Sequence, residues 1–217
     1  MNKYKYIFWD LDGTISDSGE GIFNAIAHTV GQMDIELPPP EILRKFVGPP
    51  LRDSFVKYCG LSIEESEKAV TIFREYYKDK GIYENKMYVG MDELLKKLTE
   101  TGYICVVATS KPEMHARSII QRYGIDKYFL YIAGATLDDS RVEKAQVIAY
   151  ALETCGIKDK SQVVMVGDRA FDCIGAKLNG IDCIGVLYGY GERQELEETG
   201  VVAIASDLKE LEDIFLK

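Results

Sequence analysis

Two acids spaced two residues apart, Asp10 and Asp12, directly follow the apolar run Tyr6-Ile7-Phe8-Trp9 and lead into Gly13-Thr14. In an extended segment residues i and i+2 point the same way, so both carboxylates can face one pocket. Gly13 permits a tight turn and a close approach of backbone. Two adjacent carboxylates repel unless a cation sits between them or one of them holds a proton. A set of oxygen ligands favours a hard cation such as Mg2+. The competing reading of so short a motif is a solvated turn at a strand end.

Other apolar runs end in the same way. Val163-Val164-Met165-Val166 leads into Gly167-Asp168, and Asp172 follows four residues later at the start of a helical pattern. Acids there favour the helix dipole, so capping is the plainer reading of either one. Ile104–Ala108 ends in Thr109-Ser110-Lys111, which offers hydroxyls and backbone N–H groups. Lys144 precedes the helical stretch Ala145–Leu152, where a cation opposes the dipole and hints at a nearby anion. The alternative is a surface lysine answering Asp138, Asp139 and Glu143.

These residues need strands and helices to hold them. Tyr6–Trp9, Ile104–Ala108, Tyr131–Ala133, Val163–Val166, Cys183–Val186 and Val201–Ile204 are short apolar runs of the kind that form buried parallel strands. Met91, Leu94, Leu95 and Leu98 repeat at helical spacing, as do Ala116, Ile119, Ile120 and Tyr123, and Ala145, Ile148, Ala149 and Leu152. Alternating strand and helix predicts an α/β fold, a doubly wound parallel sheet with its site at the carboxyl ends of the strands. Residues 16–86 break the rhythm. They carry helical patterns (Ile26, Thr29, Val30, Met33; Ala69, Ile72, Phe73, Tyr76), five of the six prolines and no convincing strand. The expected division is a core of residues 1–15 and 87–217 with a helical cap domain, 16–86, inserted into it.

Composition narrows the chemistry. The chain has 217 residues, with 26 Lys and Arg against 35 Asp and Glu, a formal charge of −9 that disfavours nucleic acid as a partner. No run is long enough to span a membrane, and the apolar stretch before Asp10 is too short for a signal peptide. Five scattered cysteines without a Cys-x-x-Cys pair read as reduced thiols in a cytoplasmic protein. With only two histidines, His28 and His115, catalysis is expected to rest on carboxylates.

The ordered set Asp10-x-Asp12-Gly13-Thr14, Thr109, Lys144 and Gly167-Asp168-x-x-x-Asp172 resembles the four motifs of the haloacid dehalogenase superfamily along essentially the whole chain. The inserted helical region is similar to the small cap of the subgroup that contains phosphoglycolate phosphatase and β-phosphoglucomutase. Asp17-Ser18 and Gly48-Pro49-Pro50-Leu51-Arg52 resemble the phosphatase branch in particular. The resemblance implies a Rossmann-like core and a Mg2+-dependent phosphomonoester phosphatase acting on a small phosphorylated metabolite as a monomer or small homo-oligomer. It implies Asp10 as nucleophile and Asp12 as general acid and base. Thr109, Ser110 and Lys144 would bind the phosphoryl group, and Asp10, the Asp12 carbonyl, Asp168 and Asp172 would hold the metal. Dehalogenases of the superfamily lack an acid at the second position, and its transport ATPases carry Thr there, so Asp12 points to a phosphatase or mutase. Phosphoglycolate phosphatase-like activity is the leading expectation. A 5′-nucleotidase or pyrophosphatase of the same branch, β-phosphoglucomutase, or a phosphoacceptor module without turnover are the alternatives.

Arg52 is expected to read the substrate's anionic group from the cap, against the plainer reading of a solvated charge beside Asp53. Lys111 reads equally as a further site cation or as part of a surface turn. The glycines at 185, 189 and 191 are spaced wrongly for a dinucleotide fingerprint and read as a loop that can border the pocket. Glu192, Glu195, Glu197 and Glu198 read as a solvated helix face.

Overall fold

Tyr6–Trp9 (β1) has its last three side chains fully buried, as an interior strand of a parallel sheet requires. The structure is a computed structural model that describes residues 3–138 and 140–217. Residues 1 and 2 of the expected core, and Asp139, lie outside the described residues. The strands continue with Ser16–Asp17 (β2), Lys86–Met87 (β3), Ile104–Pro112 (β4), Phe129–Ala135 (β5), Val163–Gly167 (β6), Asp182–Val186 (β7) and Ala203–Ala205 (β8). The helices are Gly19–Gln32 (α1), Pro40–Leu43 (α2), Leu51–Cys59 (α3), Ile63–Asp79 (α4), Met91–Glu100 (α5), Glu113–Arg122 (α6), Lys144–Thr154 (α7), Ala170–Leu178 (α8), Arg193–Thr199 (α9) and Leu208–Leu216 (α10).

Among the described residues, six strands form a parallel sheet in the order β5-β4-β1-β6-β7-β8. The chain builds outward from β1 through β4 to β5, then returns to the other side of β1 for β6, β7 and β8. That reversal is a topological switch point, and the crevice beyond the strand ends there is where ligands bind in open α/β sheets. Trp9 pairs with both Val107 and Val166, so β1 and β6 end close together beneath Asp10 while β4 runs on past them. The α/β class expected from the sequence is the class observed.

The chain divides into two compact units, Met1–Ser16 with Met87–Lys217, and Asp17–Lys86. Within the second unit α1 buries Ile22, Ala25, Ile26 and Val30, while α4 buries Ala69, Phe73 and Tyr77. Ser62 starts α4 with a capping box, accepting from Glu65 N at 3.2 Å while its own N–H donates to the Glu65 carboxylate at 2.8 Å. Pro40 opens α2, and Pro50 precedes α3, where a missing N–H costs nothing. The chain leaves and re-enters the core through two two-residue strands, β2 and β3, paired with each other and not anticipated from the sequence. Two-residue strands carry no periodicity to detect.

Two boundaries differ in ways that bear on the site. Strand β4 runs on through Pro112 past a register irregularity after Thr109, so Thr109, Ser110 and Lys111 are strand residues, not a following turn. The buried face of α7 is Lys144, Val147, Ile148, Ala151 and Leu152, rotated from the expected stripe, with Ala149 exposed. The rotation puts Lys144 on the same face as the helix's apolar contacts with the sheet. It yields a stability prediction. Ala149→Glu should shift unfolding free energy by no more than about 0.5 kcal/mol. Ala151→Glu, which buries a carboxylate in the core, should cost several times that or prevent folding. Urea denaturation of the two variants checks the assignment.

Candidate active site

The turn after β1 is fixed by its backbone. The N–H groups of Ile15 and Ser16 both donate to the Leu11 carbonyl at 3.0 Å, and Gly13 N–H donates to the Ser16 carbonyl at 2.8 Å. Gly13 has φ +87°, and a Cβ there would lie 2.2 Å from Asp168 Oδ2, so both conformation and space demand glycine. Asp10 N–H donates to the Val166 carbonyl at 3.0 Å, which locks the first acid to the end of β6.

Asp10, Asp168 and Asp172 are all buried, and each offers a carboxylate oxygen within 4.8 Å of the others. Lys144 lies among them. Its Nζ donates to Asp10 Oδ1 at 2.7 Å and to the Ala108 carbonyl at 3.1 Å. The same Nζ sits 2.7 Å from Asp172 Oδ1, an ion pair whose angles fall short of a hydrogen bond. Asp172 Oδ2 accepts from Arg169 N–H at 3.1 Å. Asp168 Oδ2 accepts from Tyr190 N–H at 2.7 Å, and Thr14 Oγ1 donates weakly to its Oδ1 at 3.4 Å.

Burial governs the electrostatics of this group. It raises Asp10 to about 6; Lys144 opposes the rise, and the charge of Asp172 adds to it. Asp168 is pushed well above the usual carboxylate range by burial first and then by Asp172 and Asp10. For Lys144 burial favours the neutral amine, yet the attraction of Asp10 and Asp172 outweighs it and holds the ammonium above its ordinary value. Asp10 and Asp172 thus share one ammonium, with the third carboxylate, Asp168, close to both acids. The excess negative charge, the oxygen-only donor set and the short mutual distances fit a divalent hard cation.

Asp12, whose charge is felt at Asp10, is paired with a different lysine. Its carboxylate takes Lys111 Nζ on both oxygens, at 3.0 and 2.9 Å, with the lysine side chain 5% and the aspartate 14% exposed. The surface-turn reading of Lys111 therefore fails, because β4 continues far enough to carry it inward. Thr109 and Lys111 are two apart on a strand and point the same way, a signal that the expected strand end at Ala108 concealed. Thr109 is buried, and its Oγ1 accepts from Lys111 N–H at 3.3 Å; Ser110 is half-buried. Arg52 belongs to the other unit, exposed in the first turn of α3, with Nε 3.8 Å from Asp53 Oδ1. Glu195 departs from expectation. It is partly buried and accepts from Arg169 Nε at 2.8 Å and from Ala170 N–H at 3.1 Å, so it is not part of a solvated face.

The family model of haloacid dehalogenase-like hydrolases matches residues 7–186. The chain belongs to that family. Among relatives of this hydrolase, a 5′-nucleotidase of Pseudomonas aeruginosa is 36% identical, covering 98% of the chain and 96% of that protein. The tyrosine-protein kinase PtkA of Mycobacterium tuberculosis is also 36% identical, covering 95% of the chain and 71% of that protein. A phosphoglycolate phosphatase of Vibrio parahaemolyticus is 26% identical, covering 97% and 95%. The crystal structure of a predicted phosphatase from Clostridium acetobutylicum superposes with a TM-score of 0.93 at 40% identity, covering 98% of each chain. Among the described residues, no helix of the hydrolase is long and apolar enough to cross a membrane.

The buried Lys111–Asp12 pair supports a double-variant test. Lys111→Met should cost about 3 kcal/mol by leaving the Asp12 carboxylate without its partner. Adding Asp12→Asn should recover most of that loss, giving a coupling energy well above that of an exposed pair. Denaturation midpoints of the two single variants and the double variant measure it.

Proposed function

We propose that the chain is a phosphomonoester phosphatase that works through an aspartyl phosphate on Asp10 with Mg2+ bound among Asp10, Asp168 and Asp172. The observation that carries this reading is the buried set of three mutually close carboxylates, two of them paired with Lys144, beyond the ends of β1 and β6. A carboxylate oxygen of Asp10 attacks phosphorus, the ester P–O bond breaks, and Asp12 gives a proton to the departing alkoxide. Asp12 then takes a proton from the water that attacks the phosphorus. The bond to Asp10 breaks, inorganic phosphate leaves, and the free carboxylate is restored. Thr109, the backbone N–H groups near Ser110, and Lys144 hold and neutralise the phosphoryl oxygens during both displacements. Mg2+, when bound, supplies further charge stabilisation at those oxygens. The Asp12 carbonyl would complete the set of oxygens that could hold it beside Asp10, Asp168 and Asp172.

Arg52 is the residue of the helical unit proposed to contact the anionic group of the substrate. Two substrates head the choice. Phosphoglycolate is supported by the resemblance of the cap sequence, and a nucleoside 5′-monophosphate by the 36% identity to a protein named 5′-nucleotidase.

Asp10→Asn should leave the protein folded and lower Mg2+-dependent turnover of p-nitrophenyl phosphate by about a thousand-fold or more. A folded variant that keeps its activity would remove Asp10 as nucleophile. Comparing kcat/KM for phosphoglycolate and nucleoside monophosphates then separates the two substrates.

A further inference from the structure

Asp168 and Asp172 stand on either side of Arg169 and Ala170, and both N–H donors of this short connection that face α9 converge on one carboxylate oxygen. Glu195 Oε1 accepts from Arg169 Nε at 2.8 Å and from Ala170 N–H at 3.1 Å. Ala170 is the first residue of α8, so Glu195 caps that helix from a neighbouring one and places its negative charge against the positive end of the helix dipole. Asp172 hangs from the same first turn, held by Arg169 N–H at 3.1 Å. The loop that leads into α9 holds the other acid, through Tyr190 N–H on Asp168 Oδ2 at 2.7 Å. That loop lies too close for side chains: a Cβ on Gly189 would be 2.4 Å from Asp168 Oδ2, and one on Gly191 would be 1.8 Å from the Asp168 carbonyl oxygen.

We infer that Glu195 is a positioning residue for the Asp168 and Asp172 carboxylates, and that it sets how tightly this site takes a divalent cation. The inference rests on the proposed Mg2+ site. Glu195 touches neither acid. It acts by fixing Arg169 and the first N–H of α8, so that two carboxylates from different elements keep one separation and orientation. Partners of this kind, which orient ligands from outside the coordination sphere, commonly change metal affinity by about 10–100-fold when removed. Arg169 is 10% exposed at its side chain and Glu195 28%, so the pair is shielded enough to hold a geometry that an exposed pair does not.

The test is calorimetric titration of Mg2+ alone into metal-stripped protein, for wild type, Glu195→Ala, Glu195→Gln and the control Glu198→Ala on the same helix. Glu195→Ala should raise the Mg2+ Kd about 10-fold or more. Glu195→Gln keeps an acceptor oxygen for the two donors and should raise it by a smaller factor, and Glu198→Ala should leave it unchanged. The Mg2+ concentration for half-maximal turnover should rise in the same order, by more than kcat falls at saturating Mg2+. A general packing defect would lower stability without this order. A folded Glu195→Ala with wild-type Mg2+ affinity overturns the inference. If Glu195→Ala does not fold, an unchanged Kd in Glu195→Gln overturns it equally. If wild type itself takes no Mg2+, the proposed metal site fails and this inference falls with it.

Discussion

The site depends on an imbalance of buried charge. Asp10, Asp168 and Asp172 lie within 4.8 Å of one another, and only Asp10 and Asp172 are paired with the ammonium of Lys144. Carboxylates in a dry interior repel strongly, and burial, opposed by Lys144 and reinforced by the charges of Asp172 and Asp12, raises Asp10 to about 6. A fold pays for such an arrangement only where something else is to be bound there. The −9 charge of the chain makes the same point at larger scale, since a phosphate dianion meets a repulsive protein unless local cations receive it. Lys144, and in the proposed reaction Mg2+, answer that repulsion.

The rest of the core serves to keep this cluster in place. Parallel strands β1 and β6 end close together, and the chain reverses its direction of growth beside β1, which opens the crevice. Lys144 reaches the acids because α7 turns its Lys144, Val147, Ile148, Ala151 and Leu152 face toward the interior. Lys111 reaches Asp12 because β4 runs to Pro112. A cation in each case is carried inward by an apolar face, so its long stem packs while its head pairs.

The fold class was legible because its signals are local. Apolar four- and five-residue runs mark the central strands, and the buried set Met91, Leu94, Leu95 and Leu98 follows its spacing without error. The last strand falls at Ala203–Ala205, two residues later in its start than the run Val201–Ile204 suggests, since short edge strands are set by pairing partners. Asp10, Thr109, Lys144, Asp168 and Asp172 could be singled out because each follows an apolar run or stands at a helix start. From the sequence Lys111 reads equally as a site cation or a turn residue, and Glu195 reads as solvated. A lysine after a strand and a glutamate in a run of acids look solvated until the partner, Asp12 in one case and Arg169 in the other, is brought against it by tertiary contact. The face of α7 was misjudged for a related reason: alanine-rich helices offer two small-residue stripes, and the sheet decides between them.

The most direct test of the account is the melting temperature of metal-stripped protein as Mg2+ is added, in wild type and in Asp168→Asn. An ion that binds only the folded state raises stability in proportion to the logarithm of its concentration once the site is filled. The account predicts a rising melting temperature for wild type and a nearly flat one for Asp168→Asn. A wild-type protein whose melting temperature does not respond to Mg2+, or a variant that responds as strongly, would contradict it.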